Sequence, residues 1–219
     1  MSDIVDNKVE AIVLQKTAVM NQLSGEPVNA RAASPLSHAN LLESNRGLDN
    51  KNISLVEKKF LGHLVLRGDA TDVSFNVAIQ NTLACELPTT LQCVYNDDLS
   101  IRWISPDEWL IVCAGNKAYE LETILRKALE GHYSICNVSG GQTLLVLSGR
   151  HARDVLMKST SYDVADCHFP VGKVVTTAFS KSQAVICRKD EDVWELIIRR
   201  SFSDYIWRWL QDACLEFNK

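Results

Sequence analysis

The sequence predicts an α+β fold made of two copies of one unit, each running strand, helix, antiparallel strands, helix. Three observations carry this. The apolar runs Leu64-Val65-Leu66-Arg67-Gly68 and Leu144-Leu145-Val146-Leu147-Ser148-Gly149 both end in glycine and both precede a helical stretch. Pro88 and Pro170 each precede a group of short strands. A Trp-led apolar run, at Trp109 and again at Trp194, feeds a helix. These landmarks keep their order at offsets of about 81, 82 and 85 residues, which a long-period internal duplication explains most economically. The predicted organisation is an irregular N-terminal arm over 1–55, a first half over 56–138 and a second half over 139–219, the two halves sharing one domain.

Taken in order, the arm comes first. Asn, Ser, Asp and Ala dominate between Asn21 and Ser54, with Pro27, Pro35 and Gly47 as breakers. Within it, Ser34-Pro35-Leu36-Ser37-His38 is a candidate docking segment. In the first half, a helix over 69–83 follows the glycine-ended strand. Strands over 91–95, 100–104 and 108–113 come next, with Asn96-Asp97-Asp98 as a turn, and then a helix reaching Leu125. A strand over 133–138 joins the halves. The second half repeats the order with a helix over 151–158 and strands over 174–179, 183–187 and 194–198. Ser180-Lys181-Ser182 and Lys189-Asp190-Glu191-Asp192 suit hairpin turns.

The last helix carries the strongest pattern. Phe202, Tyr205, Ile206, Trp209, Leu210, Ala213, Cys214 and Phe217 recur at three- and four-residue steps, one apolar stripe at helical period. Ser201 with Asp204 fits a capping box. Trp207 falls about 120° from the centre of the stripe at ~100° per residue, between Arg200 and Arg208. If the preceding strand alternates, one of Arg199 and Arg200 faces inward and the other outward. Aromatic and guanidinium side chains are the preferred anchors of protein interfaces. Arg199, Arg200, Tyr205, Trp207 and Arg208 are therefore the candidate interface residues.

Composition excludes several classes. A net charge of −4 with no Lys/Arg-rich run argues against bulk nucleic-acid or anionic-membrane binding. No stretch approaches the roughly twenty apolar residues of a membrane helix, and the N-terminus carries acids early without a secretory apolar core. These absences point to the cytoplasm. The seven cysteines are widely spread, with no C-x-x-C and no histidine at metal spacing, so they read as buried free thiols rather than metal ligands.

Catalytic signatures are also missing. There is no G-x-G turn for a dinucleotide pyrophosphate and no G-x-S-x-G elbow. Gly140-Gly141 after Ser139 reads as a bulge or tight strand entry before it reads as an anion nest. His63 lies in a strand, facing solvent or a neighbour, His151 begins a helix, where a capping or surface role is ordinary, and His38, His132 and His168 have no acid partner identifiable from sequence; a structural role is favoured for each. Asp107-Glu108 and Asp190-Glu191-Asp192 occupy turns, where acids are solvated. No catalytic, cofactor-binding or metal-binding residue is predicted.

Several short motifs nevertheless occur in a characteristic order: Leu66-Arg67-Gly68, Ser105-Pro106-Asp107-Glu108-Trp109-Leu110, Val138-Ser139-Gly140-Gly141-Gln142-Thr143, His151-Ala152-Arg153-Asp154-Val155-Leu156, Phe169-Pro170-Val171-Gly172 and Arg199-Arg200-Ser201-Phe202 through Leu210. Together they resemble the gamma subunit family of heterotetrameric sarcosine oxidases, over about residues 34–213. The resemblance implies a fold like the folate-binding domain of glycine-cleavage aminomethyltransferases, itself internally duplicated. It implies membership of a bacterial complex that oxidatively demethylates sarcosine to glycine and hydrogen peroxide. The methyl carbon leaves there as formaldehyde or as 5,10-methylenetetrahydrofolate. The implied partners are the alpha, beta and delta subunits, with FAD, FMN, NAD and tetrahydrofolate held by those partners and none by this chain.

Two functions follow from the sequence. One is a structural, non-catalytic subunit of that oxidoreductase complex, favoured by the aromatic and arginine-rich last helix. The other is a stand-alone folate-binding enzyme or a tRNA-modification accessory protein of the same fold. Against the second, the chain lacks a Lys-Gly-Cys motif and an additional C-terminal domain.

Overall fold

The computed structural model describes residues 33–42, 52–97 and 99–217. The rest of the predicted arm, 1–32 and 43–51, and Asp98 of the predicted turn lie outside the described residues. In chain order come α1 (Ser37–Leu42), β1 (Ser54–Lys58), β2 (Leu61–Arg67), α2 (Val73–Leu83), β3 (Cys93–Asn96), β4 (Leu99–Ser105), β5 (Glu108–Ala114) and α3 (Ala118–Ala128). Then come β6 (Ser134–Asn137), β7 (Gln142–Ser148), α4 (Ala152–Met157), β8 (Val174–Phe179), β9 (Ser182–Asp190), β10 (Val193–Arg199) and α5 (Ser203–Cys214). Short 3-10 turns, Gly115–Lys117 and Arg200–Phe202, lead into α3 and α5.

The described strands form two five-stranded antiparallel sheets, ordered β3-β4-β5-β2-β6 and β1-β7-β10-β9-β8. Each repeat gives its leading strand to the other sheet. β1 precedes β2 in the chain but pairs with β7, and β6 precedes β7 but pairs with β2. The repeat is thus one strand longer than predicted, and the arm boundary placed at residue 55 cuts through β1. That strand was hidden because one of its two inward residues is the buried Glu57, which breaks the apolar alternation.

Helices cover the outer face of each sheet. Phe75, Ile79 and Leu83 of α2 and Leu125 of α3 pack on Leu64, Leu66, Ile101 and Ile111 of the first sheet. Val155 and Leu156 of α4, Ile206 and Leu210 of α5 and Leu36 before α1 pack on Leu145, Leu147, Leu196 and Ile198 of the second. A separate layer of Leu110, Val112, Leu144 and Ile197 is buried between the sheets. The sheets also join at one corner, where Cys93 N–H donates to the Gly172 carbonyl (2.7 Å) and Val174 N–H to that of Leu91 (2.9 Å).

Local chemistry sets the element ends. The helix predicted over 69–83 starts at Val73, because Asp69 is spent on a tight turn with Thr71. Asp72 then caps the helix, accepting from Ser74 N–H (2.8 Å) and Phe75 N–H (3.3 Å). The two strand-ending glycines answer different demands. Gly149 has φ +108° and a Cβ there would lie 2.6 Å from the Asn52 carbonyl oxygen. At Gly68 a Cβ would lie 2.4 Å from the Phe75 ring.

Candidate subunit interface

The strand β10 is buried from Trp194 to Ile198 and then ends abruptly in solvent. Arg199 and Arg200 are both exposed, contrary to the expected alternation, because Arg200 already begins the 3-10 turn. Neither is held in an ion pair among the described residues. The predicted Ser201–Asp204 capping box does not form. Ser203 Oγ donates instead to the Arg200 carbonyl (2.8 Å). Asp204 turns outward to His38 (2.9 Å) and Arg208 (3.1 Å). The His38 hydrogen bond, with the Arg208 guanidinium, holds the Asp204 carboxyl below the usual carboxylate range.

The core face of α5 is rotated from the predicted stripe. Ser203, Ile206, Trp207, Leu210, Gln211 and Cys214 are buried, and Trp207 is only 4% exposed. Trp207 is therefore corrected from a partner-surface residue to a core residue. The aromatics that face outward are Phe202, Tyr205 and Trp209, the last 38% exposed. They could leave the core because the two larger ones anchor their polar tips at its edge. Tyr205 Oη lies 2.5 Å from Ser180 Oγ, and Trp209 Nε1 donates to Ser159 Oγ (3.1 Å). The rings of Tyr205 and Trp209 lie 6.5 Å apart. Arg199, Arg200, Tyr205 and Arg208 of the predicted set are thus on the surface, with Trp209 and Phe202 in the place given to Trp207.

The predicted docking segment sits beside this helix. Leu36 is fully buried in the core under α5. The carboxylate of Glu57 accepts from Ser34 Oγ (2.6 Å), Leu36 N–H (3.3 Å) and Thr143 Oγ1 (2.9 Å).

Two polar features between the sheets escaped the sequence reading. Arg102, 1% exposed, forms an ion pair with Glu195 across the sheets and donates to Ser100 Oγ (2.8 Å). Glu195 also accepts from Tyr95 Oη (3.0 Å) and lies 3.5 Å from Lys189 Nζ. Beside them, a hydrogen bond between Cys93 and Cys187 lowers the first thiol's pKa and raises the second's. The signal was available, since Arg102 and Glu195 interrupt otherwise apolar strands at inward positions. The second feature is His63, 1% exposed with neither ring nitrogen hydrogen-bonded. Burial, with the Arg102 guanidinium second, lowers its pKa to about 4.

The remaining candidates are ordinary. His151 Nδ1 meets Asp154 (2.8 Å) and stacks on Phe217, and His168 meets Asp163. Asp107 pairs with Arg67 (2.7 Å) in the open. Cys136 and Cys167 are exposed, so not every cysteine is a buried thiol. Among the described residues no group of three or more His, Cys, Asp or Glu could hold a metal ion, and no helix is long and apolar enough to cross a membrane.

Comparison with known proteins bears on this geometry. The model of the sarcosine oxidase gamma subunit family matches residues 67–216. The sarcosine oxidase subunit gamma of Corynebacterium sp. strain U-96 is 27% identical over 84% of this chain and 91% of its own length. That of Corynebacterium sp. strain P-1 is 31% identical over 54% and 58%. A chain of the solved heterotetrameric sarcosine oxidase from Corynebacterium sp. U-96 superposes with a TM-score of 0.78 at 26% identity, over 86% of this chain and 97% of that one. The glycine cleavage aminomethyltransferase T of Bartonella henselae shares the fold, at a TM-score of 0.58 and 14% identity over 80% of this chain and 56% of that one. With a family model spanning most of its length, this chain belongs to the sarcosine oxidase gamma subunit family.

Proposed function

We propose that this chain is the structural, non-catalytic subunit of a cytoplasmic heterotetrameric sarcosine oxidase, and that it binds its neighbours through the outer face of α5. FAD, FMN, NAD and tetrahydrofolate belong, on this reading, to the alpha, beta and delta partners. The observation that carries it is the exposed Phe202–Tyr205–Trp209 surface bordered by Arg199, Arg200 and Arg208. Half-exposed aromatic rings beside the guanidinium groups of Arg199 and Arg200, and of Arg208, which is shared with Asp204, supply apolar area and directional donors together, the composition of an interface hot spot. A carboxylate-bearing partner surface is the complement.

The test is co-expression of the full chain with the subunits encoded beside it, followed by affinity purification. Flavin-bearing subunits co-purify if the proposal holds; their absence sinks it. A Trp209→Ala/Arg208→Ala variant weakens assembly at least tenfold, the scale of one or two hot-spot residues, while the isolated chain still unfolds cooperatively. Arg208 is preferred to Arg200 in this variant because Arg200 also borders a small cavity at the Ser139–Gly141 turn. Unchanged assembly in a folded variant would remove α5 from the interface.

A further inference from the structure

Of the described helices, α2 has the least ordinary surface. Its eleven residues include no Asp, Glu, Lys or Arg, in a chain that is 23% charged. The outward sides of α3 and α5 carry Glu120, Arg126 and Lys127, and Arg208 and Asp212. That of α2 carries Val73, Ser74, Val77, Gln80 and Asn81. Val73 is 74% exposed and Val77 48%. Loss of charge together with exposed apolar side chains is the composition of an interface core, not of a solvated helix face.

Val73 and Val77 line a groove of about 560 Å³, with Leu87, Trp103 and Pro106. Trp109 also borders it and is fixed in place, its Nε1–H donating to the Pro88 carbonyl (3.1 Å). Among the described residues that line the groove, Glu86 alone is charged. Asp69 and Asp72 adjoin the lining residues Ala70 and Val73 in the chain. Hydrogen bonds from Thr71 and Ser74 hold their carboxyls below the usual range, so both carry charge at neutral pH. The neighbouring hollow, which shares Ala70 and Pro106 with the groove, contains Arg67, but Asp107 pairs with that guanidinium (2.7 Å). The groove is therefore apolar within and acidic at its margin.

We propose that this groove is a second subunit interface, and that it receives a segment of a neighbouring subunit carrying apolar side chains and a lysine or arginine. The apolar side chains fill the space between Val77 and Trp103, and the cation meets Glu86. The inference rests on the assembly reading but uses the opposite side of the molecule, since α2 lies outside the first sheet and α5 outside the second. The two faces also differ in sign. The arginines around α5 suit a carboxylate-bearing surface, whereas the margin of the α2 groove suits a basic one. A second copy of this chain could offer its own α5 arginines to the groove. With the two faces on opposite sides, however, that contact would propagate head to tail without closing. A different subunit closes the assembly.

The experiment places a thiol on the groove with Val77→Cys and a control on α3 with Ile124→Cys, both at exposed positions. Maleimide labelling at each position is followed by mass spectrometry, in the isolated full chain and in the complex co-purified with its flavin-bearing neighbours. Labelling at position 77 should slow roughly tenfold or more in the complex, as for a side chain sealed from water by a bound partner. The control should change by less than about twofold, being outside that seal. Equal labelling at position 77 in the complex and the isolated chain overturns the proposal while leaving the α5 reading intact. Failure of any complex to form overturns both. Protection already present in the isolated chain overturns it too, and sedimentation then tells a second copy from the chain's own residues 1–32. Glu86→Lys, a change at an exposed position, should weaken assembly roughly tenfold by setting like charges together. Undiminished assembly in that folded variant overturns the basic occupant.

Discussion

His63 couples the fold to pH through a single side chain. An unfolded histidine titrates near 6.5, whereas burial lowers this one to about 4. Above pH 6.5 both states are neutral and the residue contributes no pH dependence. As the pH falls toward 4, the unfolded chain takes up a proton that the folded chain refuses, so stability is lost across that window. Between pH 7 and pH 5 the loss attributable to His63 is roughly 2 kcal/mol, from 1.36 kcal/mol per unit of pKa difference. Urea unfolding at the two pH values measures it, and His63→Leu should flatten the difference. The carboxylates whose pKa is lowered by hydrogen bonds, such as Asp72 and Asp204, have a separate window. Their contribution is present above pH ~4 and lost below it, so it does not mask the histidine. An unchanged pH profile in the leucine variant would remove His63 from the account.

At the level of elements, the segment before α1 belongs to the second-sheet core despite its unpromising sequence. Leu36 is fully buried, and Glu57 receives the segment through Ser34 and the Leu36 amide. Leu36→Ala should therefore cost about 2–5 kcal/mol, the range for a buried leucine, and lower Tm by roughly 4–20 °C at 2–4 °C per kcal/mol. A shift under 2 °C would mean the segment merely rests on the surface. This case also shows why legibility in the sequence was uneven. The central strands and the main helices were readable because their own apolar spacing matches one period. β1 was not, and the Ser34–His38 segment was legible only as a candidate for docking, since the buried Glu57 carboxylate that receives it is itself held by Thr143, 86 positions away. The α5 stripe was placed correctly as amphipathic but turned too far toward the aromatics. Tyr205 and Trp209 satisfy their polar tips at Ser180 and Ser159, partners that spacing within the helix cannot reveal. The interface set was legible to the same degree: the arginines and Tyr205 lie at the surface, and Trp207 does not.

At the largest scale, the described residues from 52 onward form a near-symmetric pair of repeats, and the Arg102–Glu195 pair is a place where that symmetry is broken. Arg102 faces Leu110 in the first sheet, as Cys187 faces Glu195 in the second. Each repeat thus supplies one charge of the pair, and Lys189 of the second repeat stands at 3.5 Å from Glu195 as a further, exposed cation. A buried ion pair adds little net stability, because desolvation offsets the Coulombic gain, but removing one member strands the other. Arg102→Met or Glu195→Leu alone should cost about 3–5 kcal/mol. The double variant should recover most of that loss, since Leu110 shows that the glutamate's place tolerates leucine. Lys189 is exposed and can turn to solvent once Glu195 is gone, and Tyr95 keeps Cys187 Sγ at 3.3 Å as a partner. A double-mutant cycle on urea unfolding measures the coupling directly. Losses that simply add would show that the charges act independently and that the pair does not fix the sheets against one another. Strong coupling with a stable double variant would locate its role in specificity. With apolar residues facing on both sides, two such similar repeats could pack in more than one register, whereas a single cross-sheet pair of opposite charges admits only one.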